Sequence, residues 1–484
     1  MLADLFREID ETYFRPHPFT PADARRIASH AGPDTYALLL QDGRAVAYGM
    51  LRGRDEGYTV PSLGIAVRTS AQGHGLGRLM MLYLHEEARR QGAAVVRLRV
   101  HPRNTYARRM YEKLGYVYAG FDRDELVMLL DVESAVAPSV GRPTCELQST
   151  LIDPAAPEWA AVLAATKHDF YHVPAYAELC ARHEHGRACA LHVTDGHWAM
   201  LLPLVIRAAG NGHSDAVSPY GYPGPLLAGA ADPALVRLAI VAGRQALLEA
   251  QVVALFVRLH PLLNLVPPSG IGRLVRHGDT VSLDLTLPEA DIWVQMRENH
   301  RRDIARGRRL GYTAGVDHWP RFAAFLRVYR ETMLRRRAAP FYFFDDAYFD
   351  ALRDALGDTL HLVTVERDSE TVAAGLFVET NGILQYHLSG TADLAEHIQP
   401  TKLMIHFAAL WGKERGDHIL HLGGGVGGDG DSLMHFKGGF SPSRHPFSTL
   451  RMLVDADAYA RLVRERDPLL DPTELDAYFP LYRR

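Results

Sequence analysis

The sequence predicts an α/β (α+β) protein of several units, each a mixed central sheet flanked by helices. Three observations lead there. At 484 residues the chain exceeds what one hydrophobic core supports, so two or three domains are expected. Its 47% apolar and 23% charged residues are those of an ordinary globular protein, not a disordered one. A cassette of strand, loop, helix and strand also recurs three times, which is the pattern of a crossover connection.

Read in order, residues 3–14 (ADLFREIDETYF) and 20–30 (TPADARRIASH) have helical spacing. TYALLLQD and RAVAYGMLRG read as a strand pair around a turn at Asp42-Gly43. The first cassette follows: the strand SLGIAV, the loop RTSAQGHG, the helix LGRLMMLYLHEEARRQG and the strand AVVRLRV. ELVMLLDV closes this unit, and the small, Pro-containing stretch after it (ESAVAPSVGRPT) reads as a linker. The expected units are therefore 1–135, a linker at 136–147, then 148–285 and 286–484. The second cassette runs AVSPYGYPGPLL, a loop, ALVRLAIVAGRQALLEA and VVALFVRLHP. The third runs ILQYHLSGT, a loop, TKLMIHFAALWGKERG and HILHLGGG. The first two closing strands end alike, from Arg97 to Pro102 and from Arg258 to Pro261. A repeat near 160 residues is far longer than a solenoid period, so it implies repeated domains.

Chemistry concentrates first in Gln72-Gly73-His74-Gly75-Leu76-Gly77, between a strand and a helix. A diphosphate needs several converging backbone N–H donors, and glycines allow that approach. The following helix adds its positive end and Arg78 a full charge. About thirty residues on, Asn104 opens a helix that carries Tyr111. Gln72-x-x-Gly75-x-Gly77 followed by the segment from Asn104 to Tyr116, with Ala107, Tyr111 and Gly115, closely resembles the GNAT superfamily of N-acetyltransferases over residues 1–132. The resemblance implies acetyl-CoA as the acyl donor and a primary amine as acceptor. It assigns the pyrophosphate to backbone N–H groups of Gly73, His74, Gly75, Leu76, Gly77 and Arg78, with Gln72 and Asn104 in the coenzyme site. Gly64, Ile65, Ala66 and Val67 would pair with pantetheine, one N–H polarising the thioester carbonyl, and Tyr111 would protonate the leaving thiolate. The general base stays open among Glu11, Asp55, Glu56 and His74, or a base acting through water.

The later cassettes lack such a cradle. The third loop (392–400) has no glycine, and Pro400 removes a backbone donor; the second loop, AGAADP, is no phosphate cradle either. Their acyl donor is thus expected to differ. Gly423 to Gly428 contains a G-x-G-x-x-G match, discounted because no βαβ unit follows it. The segments HRRDIARGRRLG (300–311), TMLRRRAAPFYFF (332–344), QYHLSG (385–390) and 431–440 together resemble the Fem-type aminoacyltransferases over about 150–450. That resemblance implies two fused GNAT-like subdomains and transfer of an aminoacyl group from aminoacyl-tRNA to a small-molecule or peptide amine. Lys437 in Phe436-Lys437-x-x-Phe440 fits the family's functional lysine, an ammonium able to hold an oxyanion. Arg301, Arg302, Tyr386, His387, Ser389, Asp431 and Phe436 are the implied substrate set. Arg297, Arg301, Arg302, Arg306, Arg308 and Arg309 face only Glu298 and Asp303, and 298, 302, 306 and 309 share a helix face suited to phosphates. Two other readings are carried: a C-terminal acyl-CoA transferase, and an N-terminal module that only senses acetyl-CoA.

Residues 1–132 hold 18 Lys and Arg against 16 Asp and Glu, whereas the remainder is net acidic. Indiscriminate nucleic-acid binding is not expected, nor DNA as a partner. No run reaches the roughly 18–20 apolar residues of a membrane span, and the opening MLADLFREIDE has no signal-peptide pattern. Three cysteines (Cys145, Cys180, Cys189) are too few for a disulfide framework, which suits the cytoplasm. Cys180, His183, His185 and Cys189 have no common zinc spacing, so no metal is expected.

Overall fold

The computed structural model describes residues 1–484 apart from 10–12, 14–15, 42, 123–124, 133–146, 230–232, 264–271, 426–430 and 477. The expected linker therefore lies outside the described residues except for Leu147, as do Cys145, Glu11 and Asp42.

Two sheets organise the chain. The N-terminal unit comprises α1 (Leu2–Phe6), α2 (Pro21–Ala28), β1 (Thr35–Gln41), β2 (Arg44–Arg52), β3 (Ser62–Val67), α3 (Leu76–Arg90), β4 (Val95–Val100), α4 (Thr105–Lys113), β5 (Val117–Asp122) and β6 (Glu125–Asp131). Its six strands lie in the order β1-β2-β3-β4-β6-β5, antiparallel except for β3 beside β4. Helix α3 buries Met80, Met81, Leu84 and Ala88, spaced along one helical face, against that sheet. Gly49 on β2 lets it close, since a Cβ there would stand 2.6 Å from the Met80 sulfur. The first helix is shorter than its spacing predicts. It stops at Phe6 because the next turn is drawn to the β3 exit: Arg68 pairs with Glu8 at 2.6 Å, and the Glu8 carbonyl accepts the Thr69 hydroxyl at 3.0 Å.

The rest of the chain builds one sheet of thirteen strands. Its first part holds β7 (Gln148–Ile152), α5 (Pro157–Ala165), α6 (Pro174–His183), β8 (Arg187–Thr194), β9 (Ala199–Gly210), β10 (His213–Val217), β11 (Leu226–Ala228), α7 (Pro233–Glu249) and β12 (Val252–Arg258). There follow β13 (Arg273–Asp284), α8 (Glu289–Val294), α9 (Glu298–Arg309), β14 (Thr313–Val316), α10 (Phe322–Arg335), α11 (Asp346–Leu356), β15 (Leu360–Arg367), β16 (Glu370–Thr380) and β17 (Ile383–Thr391). The chain ends with α12 (Pro400–Arg415), β18 (Ile419–Gly423), α13 (Ser432–Lys437), β19 (Arg444–Leu453) and α14 (Ala456–Arg466). The strand order is β14-β15-β16-β17-β18-β13-β19-β12-β10-β9-β8-β7, with β11 on β9. The three cassettes are real crossovers: β3 and β4, β10 and β12, and β17 and β18 each pair in parallel. A tertiary feature joins the two sheets. Arg108 of α4 pairs with Asp457 of α14 at 2.8 Å, and one apolar core runs from Leu98, Tyr111 and Tyr118 to Val253, Leu453 and Tyr459.

Candidate functional site

Strands β3 and β4 pair at Ser62–Arg97, with the Arg97 N–H on the Pro61 carbonyl at 3.0 Å, and register nowhere further along. The β4-facing edge of Gly64–Val67 is thereby left as a slot that an extended ligand can pair with. The glycine loop stands at the C-terminal end of β3. Gly73 (φ 81°) and Gly75 (φ 77°) are left-handed, and Gly75 caps α3, so the first N–H groups of that helix face out of the loop. The Gln72 amide reaches back to the Val67 carbonyl at 3.3 Å, while His74 and Arg78 are exposed. Asn104 caps α4 by accepting the Ala107 N–H at 3.2 Å. Tyr111 faces inward, 8% exposed, its ring 5.7 Å from that of Tyr116, and its hydroxyl has no bond among the described residues. Burial raises its pKa, so the phenol keeps its proton. Among the base candidates, Asp55 is engaged in a turn, accepting the Asp34 N–H at 3.0 Å and lying 3.4 Å from His30. Glu56 and His74 are exposed, and Glu11 is outside the described residues.

The second site lies at the seam of the large sheet. Helix α9 is tied to α13 at its start: the Arg297 N–H donates to the Gly439 carbonyl (2.8 Å), and His300 Nε2 donates to the Phe436 carbonyl (2.9 Å). The arginines of α9 are not equivalent. Arg297 and Arg308 are anchored on His435 and His406, and Arg302 stands 3.7 Å from Asp303. Arg301, Arg306 and Arg309 have no partner among the described residues.

Short α13 begins at Asp431, whose carboxylate accepts the Leu433 and Met434 N–H groups. Phe436 packs between His300 and Phe440, with ring centroids 5.6 and 5.5 Å away, so it props the helix. Lys437 turns inward, 8% exposed, donates to the Gly424 carbonyl at 2.6 Å and lies 5.9 Å from the centre of the Tyr386 ring. Burial lowers its pKa to about 8, against the opposing pull of Asp431. The Tyr386 and Ser389 hydroxyls bond each other, and burial pushes Tyr386 up to about 12. His387 is turned among the rings of Phe170, Tyr176 and Tyr220, where burial lowers its pKa to about 4.

Sequence reasoning missed the other wall. The Tyr222 hydroxyl accepts the Gly424 N–H at 3.3 Å, and a Cβ on Gly423 would meet that hydroxyl at 3.2 Å and Lys437 Nζ at 3.5 Å. Asp169, His260, Gln385 and His421 form a buried polar chain beside it. The signal for Tyr222 was present in the Tyr-Pro-Gly-Pro run; the polar chain has none, because its members are scattered over 250 residues of sequence.

Residues 2–116 match the model of the Acetyltransferase (GNAT) family, and residues 295–454 match a second model, an Acetyltransferase (GNAT) domain. Among solved structures the chain is similar to FemX, at 12% identity over 65% of this chain and 99% of that one, with a TM-score of 0.51, a likeness of fold. It also aligns with the C-terminal domain of a putative lysylphosphatidylglycerol synthetase from Agrobacterium fabrum (16% identity, 63% and 93% covered, TM-score 0.42). A third alignment is with the ribosomal-protein-S18-alanine N-acetyltransferase from Escherichia coli (21% identity, 29% and 90% covered, TM-score 0.22). No curated protein matches the sequence.

Proposed function

This chain is a tandem GNAT-type acyltransferase with a Fem-like second part, and on that premise we propose that it forms two amides at two sites. The first site moves an acetyl group from acetyl-CoA to a primary amine. The second moves an aminoacyl group from aminoacyl-tRNA to an amine acceptor. The units that carry these reactions are 1–135 and the pair 148–285 and 286–484.

The observation that carries this reading is the parting of β3 from β4 in front of an outward-facing helix start. Phosphate oxygens fit the N–H groups from Gly73 to Arg78, and an extended pantetheine arm fits the free edge of Gly64–Val67. Bound there, acetyl-CoA supplies an activated acyl group. The chain's part is then to orient that group, to offer an N–H of β3 to the carbonyl oxygen, and to hold a proton on the Tyr111 hydroxyl for the departing sulfur. The β17–α12 loop offers no glycine cradle, since it is a 3₁₀ turn (Asp393–Ile398) leading into Pro400. A buried ammonium stands at the second site instead, and Lys437 is the group suited to hold the carbonyl oxygen of an ester as an amine attacks.

The test uses the full chain, because the shared core between α4 and α14 would be exposed in separated halves. A panel of primary amines is offered with labelled acetyl-CoA or labelled aminoacyl-tRNA. Tyr111→Phe is expected to lower acetyl transfer on the order of 10²-fold, with aminoacyl transfer untouched, and Lys437→Met to do the reverse. Transfer of neither label in the wild type, or loss of both in each variant, refutes the two-site reading.

A further inference from the structure

Resting on the reading of the Lys437 site as an acyl-transfer centre, one buried nitrogen there acquires a role. His421 is fully buried, and its Nε2 has no hydrogen-bond partner among the described residues. Leaving such a nitrogen unmet in a protein interior is costly and calls for an explanation.

The protonation of the surrounding chain follows from its bonds. His260 Nδ1 accepts the Leu262 and Leu263 N–H groups (3.1 and 3.2 Å), so its proton is on Nε2, which donates to Asp169 Oδ2 at 2.9 Å. Asp169 also takes the Phe170 N–H at 2.7 Å and is therefore an acceptor throughout, a carboxylate. Gln385 must then turn its amino group to Asp169 (2.5 Å) and its carbonyl to His421. A carbonyl only accepts, so His421 must donate from Nδ1, at 2.8 Å. In the neutral ring the lone pair is consequently forced onto Nε2, the nitrogen with nothing to accept.

The ring lies beside the Lys437 site. The His421 ring is 5.4 Å from the Tyr222 ring, whose hydroxyl meets Gly424, and Lys437 Nζ binds the carbonyl of the same Gly424. Burial opposes a positive ring, and among the described residues so do His260 after β12, Lys437 from α13 and His445 from β19. These effects, burial the largest, hold His421 well below the usual histidine range, neutral at physiological pH.

We propose that His421 is the proton acceptor of the second transfer, its tautomer set by Asp169 through Gln385. The amine nitrogen bonds to the carbonyl carbon, and Lys437 holds the oxygen. The proton leaving that nitrogen passes to His421 Nε2. As the carbon–oxygen bond of the ester breaks, the proton is returned to the departing oxygen, and His421 ends neutral. Gln385 is a positioning residue.

Two measurements decide it. In the full chain labelled with ¹⁵N-histidine, the resonance lost in His421→Gln is expected to be that of a neutral Nδ1–H ring at pH 7, and to lose that signature in Gln385→Leu. An Nε2–H or doubly protonated ring overturns the proposal whatever the activity. With labelled aminoacyl-tRNA and the amine panel, His421→Gln should lose at least about 100-fold in kcat with little change in KM. Imidazole should restore part of the rate to His421→Ala, which a structural role would not allow. If Lys437→Met abolishes transfer while His421→Gln keeps it, the role of His421 alone falls. If the wild type transfers no aminoacyl group to any amine, both it and the underlying reading fall.

Discussion

Lys437 illustrates how far a single residue is set by its surroundings. An ordinary lysine keeps its proton to about pH 10.4, whereas desolvation brings this one to about 8. Between those values the unfolded chain holds a proton that the folded chain has released, so this group's contribution to stability improves as pH rises from about 8. Below pH 8 the buried charge costs folding on the order of 3 kcal/mol. Lys437→Met is therefore expected to abolish the second transfer while raising the melting temperature at pH 7, read by calorimetry. The wild-type rate should fall above pH 8 as the ammonium is lost, and Lys437→Arg should carry any remaining activity past pH 10, read from pH–rate profiles. The motif around Lys437 was legible through its order and spacing with the segments at 300–311, 332–344 and 385–390. The roles of the neighbouring Tyr222, Gln385 and His421 were not, because burial and hydrogen bonding, not local spacing, define them.

Among elements, the crossovers were the most legible, since each combines an apolar strand, a breaker and a long helix. Two details escaped. The α1 periodicity continues past Phe6, but a buried Arg68 outcompetes the helix for Glu8. The positive stripe of α9 was evident, yet two of its arginines are anchored by histidines from distant elements. The loop before α3 makes a prediction at this scale. Gly75→Val places a β-branched residue at φ 77°, where such side chains are strained, and closes the helix start. Acetyl-CoA affinity, measured by calorimetric titration, should weaken at least about 10-fold, with aminoacyl transfer unchanged.

For the whole molecule, the union of the two sheets was hidden. Apolar residues at 98–118 and 453–481 read as separate interiors in sequence, yet they form one. Arg108 is nearly buried at that junction and its charge is met by Asp457 and Glu112. Asp457→Lys should strand the guanidinium, lowering the melting temperature by an amount equivalent to about 3 kcal/mol and enlarging the radius of gyration in solution scattering. The order of the large sheet has a further consequence, for synthesis. Strand β19 lies between β12 and β13, although it starts at residue 444, far beyond the ends of β12 at 258 and of β13 at 284. Until residue 453 has left the ribosome, two strands that end up in the middle of the sheet wait as open edges. A message truncated near its end, or a long pause there, would release a polypeptide with adhesive flanks, a natural target for holding chaperones.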